Sequence, residues 1–189
     1  MGAPLTVPRI TISVDQFHKM AAAGIFADNE RVELVEGEMI QMPPIGPAHA
    51  ARVNAIGVLL ARRVGDERAI VSFQNPIALP PQNEPQPDIA LLKPAAHRYK
   101  ATLPSASDVL LVIEVADTSM AYDRDVKIPI YAANGVVEVW LFDVQAEALT
   151  VFRNPIGVAY SQVTTMPTAA SVSPLLLPDL AIPVSDLWR

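Results

Sequence analysis

The chain has 189 residues, of which 51% are hydrophobic and 18% charged, so we expect one compact domain spanning residues 1–189 and not a disordered chain. It contains no cysteine, which excludes disulfides, thiolate metal sites and a catalytic thiol. Its net charge of −6 is unlike that of proteins that coat nucleic acid with a basic face. This charge does not exclude a nuclease, because a bound metal ion and a local basic cluster can dominate the field at a site.

Two features of the sequence bear on cellular location. No apolar run approaches the roughly 18 residues that a membrane-spanning helix needs. Residues 1–6 lack the charged and apolar regions of a secretory signal peptide. The sequence therefore predicts a cytoplasmic protein without a membrane span.

The first third of the chain carries clear local signals. Residues 13–16 have the Ser-x-x-Gln form of a capping box, and the helix that they start should end at Gly24. Residues 31–42 alternate between apolar and polar around Glu36-Gly37, which predicts two short antiparallel strands joined by a tight turn. Apolar residues at helical spacing then predict an amphipathic helix over residues 48–64.

The remainder alternates between strands and one helical stretch. Apolar runs predict strands near residues 69–73, 76–79 and 109–116, and a strand pair at 137–144 and 148–153. A helical pattern covers residues 122–133, with a kink or a restarted helix expected at Pro129. The C-terminal part is expected to form edge strands and a covering tail, with residues 187–188 packed back onto the body. This order predicts an α/β fold with a mixed β-sheet flanked by helices.

Asp88 and Glu114 stand where a folded core normally excludes a carboxylate. Glu114 interrupts the apolar run 109–115, and Asp88 follows Pro87 directly before the apolar residues 89–92. An unpaired buried carboxylate costs several kcal/mol. Two such groups on neighbouring strands would repel each other, and a divalent cation between them is the simplest remedy. The pair therefore favours metal-dependent chemistry.

These carboxylates and a lysine, Lys127, in the helical stretch after Glu114 resemble the PD-(D/E)XK nuclease superfamily. More narrowly, the chain resembles the Putative restriction endonuclease family within it, which implies a restriction endonuclease-like fold with extra β-hairpins. The resemblance spans roughly residues 13–153. It rests on the segments VELVEGE (32–38), PAH (47–49), QPDI (86–89), VIEV (112–115), YDRDVK (122–127), Pro129, YA (131–132) and GVVEVWLFD (135–143).

The chain departs from the superfamily pattern at one position. The lysine expected two residues after the glutamate is absent, because Ala116 stands there. The narrower family places its lysine in the following helix, where this chain has Lys127. The chemistry tolerates the shift, since only the position of the ammonium group in space matters.

The resemblance implies hydrolysis of phosphodiester bonds, with DNA as the expected substrate and a homodimer or higher homo-oligomer as the expected assembly. Asp88 and Glu114 would hold Mg²⁺, or Mn²⁺, with the backbone carbonyl of Val115 as a further ligand. Lys127 would orient the attacking water or stabilise charge on the phosphate. His49 would transfer a proton or contact phosphate, and Glu38 would bind a second metal or orient His49. The strand 137–142 or the C-terminal segment would supply the interface between copies.

Each of these residues also has a simpler explanation. Asp88 would begin a strand at a turn, and Glu114 would pair with Arg124 or Arg52. Lys127 would be a solvated lysine of the helix, and His49 would cap the start of its helix or pack there. Glu38 would lie on the surface of the hairpin. We leave Glu33 structural, interpret Glu138 and Asp143 as solvated strand ends, and expect Asp123 and Arg124 to cap the helix or pair with each other. Two other functions remain open: a catalytically inactive nucleic-acid-binding or assembly module on the same fold, and a small-molecule or nucleotide hydrolase that uses the same metal pair.

Overall fold

A computed structural model describes residues 10–27 and 30–189 of the chain. The interpretation of residues 1–6 as lacking a signal peptide lies outside the described residues. Within the described part, no helix has both the length and the apolar character needed to cross a membrane.

Helices and strands alternate along the chain, and the α-helices and strands are numbered in chain order. The helices are α1 (Val14–Ala22), α2 (Pro47–Val64), α3 (Met120–Tyr122) and α4 (Ile128–Ala133), with a π-helical turn at Asp123–Lys127 and 3-10 turns at Ala106–Asp108 and Val184–Trp188. The strands are β1 (Val32–Val35), β2 (Glu38–Gln41), β3 (Ile70–Phe73), β4 (Ile89–Leu92), β5 (Val109–Ala116), β6 (Glu138–Asp143), β7 (Ala148–Ile156), β8 (Ala159–Met166), β9 (Ser171–Val172) and β10 (Ile182–Pro183).

A six-stranded mixed sheet forms the centre of the fold, in the order β3-β4-β5-β6-β7-β8. Neighbouring strands are antiparallel except β5 and β6, which are parallel. A parallel pair requires a crossover connection, and α3, the π turn and α4 supply it. The predicted α/β class with a mixed sheet flanked by helices is therefore confirmed.

Successive side chains of the sheet alternate between two apolar faces. One face packs against α2 and the C-terminal segment, through residues that include Ile56, Leu60, Ile113, Trp140, Ile182 and Leu187. The other face packs against α4 and the loop before β4, through residues that include Ile77, Leu79, Ala90, Val112, Tyr131 and Leu141. From Val112 to Ala116 of β5 and over β4, residues at even positions therefore face α4, which decides where the carboxylates of interest point.

Most of the predicted elements are present. Ser13 caps α1 with both hydrogen bonds of a capping box, and Glu36 and Gly37 have the positive φ angles of a tight hairpin turn. Trp188 packs against Phe142 with 5.3 Å between ring centroids, as expected for a C-terminus that returns to the body.

Three of the expectations are wrong. No strand forms at residues 76–79, where only the isolated bridges of Ala78 and Leu79 occur, because that apolar segment is a buried loop. Strand β6 is buried between β5 and β7, so residues 137–142 have no free edge for a second copy. Glu138 is not a solvated strand end: it is fully buried and accepts hydrogen bonds from Trp140, Arg153 and the Leu175 backbone.

Helix α1 is tied to the loop before β4 by a buried carboxylate. Nε2 of His18 lies 2.5 Å from Oε2 of Glu84, which is only 5% exposed. Burial raises the pKa of Glu84 above 4.5, and the charge and hydrogen bond of His18 offset only part of that rise. The stability that this group contributes is therefore complete below about pH 4.5 and is lost as the pH rises through its value in the folded protein.

We therefore expect Glu84→Gln to flatten this pH dependence. The free energy of unfolding should fall less in the variant than in the wild type between pH 4.5 and neutral pH. Urea denaturation at the two pH values measures the difference. An equal fall in both proteins would contradict the assignment of this titration to Glu84.

Candidate active site

The two strands at the centre of the sheet bring Asp88 and Glu114 together. Ile89 of β4 pairs with Ile113 of β5, so continuing the antiparallel register places Asp88 opposite Glu114. Both occupy even positions, and their side chains therefore share the face that α4 covers. The sheet thus holds the two carboxylates side by side, as expected from their positions at the ends of apolar runs.

The carboxylate of Asp88 is held from three sides. Its Oδ1 lies 3.0 Å from Nε2 of His49 and 3.3 Å from Nε2 of Gln74. Its Oδ2 accepts a hydrogen bond of 2.9 Å from the backbone N–H of Val115. Burial alone would raise the pKa of Asp88, but the hydrogen bond and charge of His49, the charge of Lys127 and the Val115 N–H outweigh it and lower the pKa. Asp88 is therefore ionised at neutral pH.

Glu114 is more deeply buried, with 1% of its surface exposed. Its Oε1 accepts a hydrogen bond of 2.5 Å from the hydroxyl of Tyr131 and lies 2.8 Å from Nζ of Lys127. The pKa of Glu114 is raised to about 8, chiefly by burial and also by the charges of Asp123 and Asp88, while Lys127 opposes the rise. Glu114 thus sits beside a cation, yet it takes up a proton unusually easily for a carboxylate.

Lys127 reaches this pair from the crossover helix. It ends the π-helical turn Asp123–Lys127, two residues before Pro129 in the first turn of α4. Proline lacks an N–H and interrupts the regular α-helical ladder, and the structure has a π-helical turn followed by a new α-helix where a kink or a restarted helix was expected. Nζ lies 3.4 Å from the carbonyl of Gln86 and 3.7 Å from Oε2 of Glu33, in addition to its contact with Glu114. Burial would lower the pKa of Lys127, but the surrounding carboxylates raise it, so its ammonium group stays charged.

Glu33 and Tyr122 belong to the same network, although we left Glu33 structural and assigned Tyr122 no role. The Tyr122 hydroxyl donates to Oε1 of Glu33 at 2.9 Å, and the Gln86 N–H donates to Oε2 at 3.1 Å. Glu33 is 2% exposed, so it is a buried carboxyl group that faces Lys127. Its sequence signal is weak, because a charged residue at every second position of a strand is typical of a solvated face.

His49 enters from the first turn of α2, and its Nδ1 is buried without a hydrogen-bond partner. The hydrogen bond with Asp88 raises the pKa of His49, although burial opposes it. Glu38 lies exposed on β2 and does not line the cavity around Asp88 and Glu114. The structure therefore brings Asp88, Glu114, Lys127 and His49 together and leaves Glu38 apart.

The simpler partners proposed for Glu114 are engaged elsewhere. Arg52 donates to the carbonyl of Leu187 and lies 4.9 Å from the centre of the Trp188 ring. Arg124 pairs with Asp125 on the surface and not with Asp123, which accepts a hydrogen bond from Ser119. The interpretation of Glu114 as the partner of an arginine is therefore wrong.

The carboxylates open into a cavity of about 430 Å³. Its lining includes Asp88, Glu114, Lys127 and His49, together with Asp117, Asp123 and the loop that joins β2 to α2. In the part of the chain that the structure describes, no group of three or more His, Asp or Glu side chains is arranged to hold a metal ion alone. Mg²⁺ usually takes only one or two protein carboxylates and completes its shell with water and substrate phosphates. The donor set of Asp88 and Glu114 therefore fits this ion.

Comparison with solved structures identifies the fold. A structure from Anabaena variabilis, described as a putative nuclease belonging to DUF820, superposes with a TM-score of 0.68 and 19% sequence identity. The superposition covers 94% of this chain and 97% of the other, so the two proteins share the fold over nearly their whole lengths.

Comparison with sequences identifies the family. Among curated proteins, none matches the chain. A family model named Uma2 and described as "Putative restriction endonuclease" matches residues 14–185, which is most of the chain. The chain therefore belongs to the Uma2 family of Putative restriction endonucleases, a membership that supports nuclease as its class of activity.

Proposed function

We propose that this protein is a metal-dependent endonuclease that hydrolyses phosphodiester bonds of DNA. One observation carries the proposal: Asp88 and Glu114 lie opposite each other on adjacent strands, and Nζ of Lys127 lies 2.8 Å from Glu114 at an open cavity. Two carboxylates can hold a metal ion that activates water for hydrolysis of a phosphodiester, and an ammonium group can stabilise the charge that develops on the phosphate.

The proposal assigns a role to each group. Asp88 and Glu114 would hold Mg²⁺ or Mn²⁺, which when bound lowers the pKa of a water ligand and neutralises charge on the phosphate. The Val115 backbone would supply a further oxygen, since its N–H already donates to Asp88 and so lies beside this carboxylate. Lys127 would donate a hydrogen bond to the scissile phosphate or to the attacking water. His49 orients Asp88 through Nε2 and can accept or release a proton there.

Electrostatics supports a cation in this cavity. Five carboxylates line it, those of Glu33, Asp88, Glu114, Asp117 and Asp123. The charges of Asp88 and Asp123 both raise the pKa of Glu114, which means that these groups repel one another. A divalent cation would relieve this repulsion, and it would also let a polyanionic substrate approach.

The alternative of an inactive binding module predicts a different position for the lysine. A chain that had lost hydrolysis would have no need to keep an ammonium group beside the acidic pair. Lys127 is 3% exposed and contacts Glu114, at the cost of burying a charge. This arrangement favours the enzyme over the inactive module.

Cleavage of supercoiled plasmid in Mg²⁺, and separately in Mn²⁺, tests the proposal. We expect the wild type to nick or linearise the plasmid and Asp88→Asn to lose at least about 100-fold in rate, since the substitution keeps the shape but removes a metal-binding charge. Asp15→Asn is the matched control, because Asp15 is exposed on α1 and does not line the cavity.

The result discriminates between the candidate functions. Cleavage by the wild type and by Asp15→Asn, but not by Asp88→Asn, supports a nuclease that uses this site. Equal cleavage by all three proteins would mean that Asp88 takes no part. Absence of cleavage by folded wild type in either metal would argue for the binding module or for a small substrate.

A further inference from the structure

The hairpin of β1 and β2 forms one wall of the cavity, and its two faces have different environments. Val32 and Leu34 face α1, where they pack with Phe17. Glu33 and Val35 point the other way, toward Lys127 and the central sheet. Because side chains alternate along a strand, Arg31 lies on the same face as Glu33. The N–H of Met42 donates to the carbonyl of Arg31 at 2.9 Å, so the ladder extends to this residue.

The hairpin is fixed relative to the carboxylates. The N–H of Gly37 donates to the carbonyl of Gln82, and Leu34 exchanges backbone hydrogen bonds with Glu84. Glu33 is tied to Gln86, two residues before Asp88. A side chain on this face of the hairpin therefore keeps a defined position with respect to the site.

Arg31 differs from the other basic groups of the cavity. The lining contains five carboxylates but only Arg31, Lys127 and His49 as basic side chains. Lys127 is paired with Glu114 and Glu33, and His49 with Asp88. No hydrogen bond or ion pair involves the guanidinium of Arg31 anywhere in residues 10–27 and 30–189. Among the basic side chains of the described lining, Arg31 is therefore the one that pairs with no carboxylate.

We propose that Arg31 binds a phosphate of the nucleic-acid backbone beside the scissile phosphate, an inference that rests on the proposed nuclease function. Arg31 stands two residues before Glu33, which is roughly 7 Å along the strand. One strand of B-DNA presents about two phosphates over that span, so Arg31 is placed for a flanking phosphate. A guanidinium can bind phosphate through two parallel hydrogen bonds, which would fix the register of the substrate.

Binding of a fluorescently labelled DNA duplex tests this inference, measured by anisotropy at several salt concentrations with Ca²⁺ as the divalent ion. We expect Arg31→Ala to raise Kd by about 5- to 10-fold and to reduce the slope of log K against log salt by about one, which corresponds to one lost phosphate contact. Arg31→Lys should keep most of the slope, because it retains the charge, but recover only part of the affinity. Arg62→Ala is the control, since Arg62 is exposed on the last turn of α2 and outside the cavity.

Plasmid cleavage in Mg²⁺ by the same proteins separates this inference from the proposed function. Weaker binding and a smaller slope for Arg31→Ala alone support the phosphate contact, even if the wild type does not cleave and the nuclease proposal fails. Cleavage by the wild type with an unchanged Kd and slope in Arg31→Ala would overturn the inference but leave the nuclease. Equal losses in Arg31→Ala and Arg62→Ala, or no binding by wild type, would also overturn it.

Discussion

Replacing Lys127 by methionine is expected to lower the cleavage rate by about 100- to 1000-fold, the loss typical when one preorganised donor to a developing charge is removed. Methionine keeps most of the length of the side chain and removes the ammonium group that lies 2.8 Å from Glu114. Single-turnover cleavage measures the rate. Calorimetric titration with Mg²⁺ should still detect the metal site in this variant when it is done above pH 8. The pKa of Glu114 is about 8 with Lys127 beside it, and without the lysine Glu114 needs a higher pH to ionise.

Two further variants separate chemistry from folding. Lys19→Met removes an exposed lysine of α1 and should cleave like the wild type. Lys127→Arg keeps the charge but moves it, so we expect the fold to be retained with only partial recovery of the rate. A folded Lys127→Met protein with the rate of the wild type would mean that another group activates the water.

Much of the fold follows from local signals. The capping box at Ser13 and the Glu36-Gly37 turn specify their elements through neighbours in sequence, and the structure contains both. The prediction of a strand at residues 76–79 is wrong, because local signals do not determine the structure of that segment. Ile77 and Leu79 are buried like strand residues, but they belong to a buried loop, and periodicity alone cannot distinguish the two cases.

The candidate site shows the same contrast between what local sequence signals predict and what they do not. Asp88 and Glu114 can be found in the sequence, because each interrupts an apolar run. Their surroundings cannot, because the contacts that complete the site join distant parts of the chain. The hydrogen bond from Tyr122 to Glu33, for example, spans 89 positions in sequence. Glu33 looks like an ordinary polar residue of an alternating strand until the position of Lys127 is known.

For the stability of Glu114→Ala, the structure predicts the opposite of what the sequence alone suggests. If two carboxylates only repel each other, removing one should leave the fold intact or stabilise it. In the structure, however, Glu114 is the partner of the buried ammonium of Lys127 and accepts from the Tyr131 hydroxyl. Alanine would leave both groups without that partner, and we expect a loss of about 3 to 5 kcal/mol in the free energy of unfolding. Urea denaturation measures this loss.

Glu114→Gln distinguishes the structural role of this residue from its role in metal binding. Its amide oxygen can still accept from Tyr131 or Lys127, so the loss of stability should be clearly smaller than for alanine. Both variants lack the carboxylate, and both should lose the Mg²⁺ affinity measured by calorimetric titration. Glu67→Ala, at an exposed position, should change neither quantity. If Glu114→Gln bound Mg²⁺ as tightly as the wild type, Asp88 would have to hold the ion without Glu114, and the site shared by the two strands would be wrong.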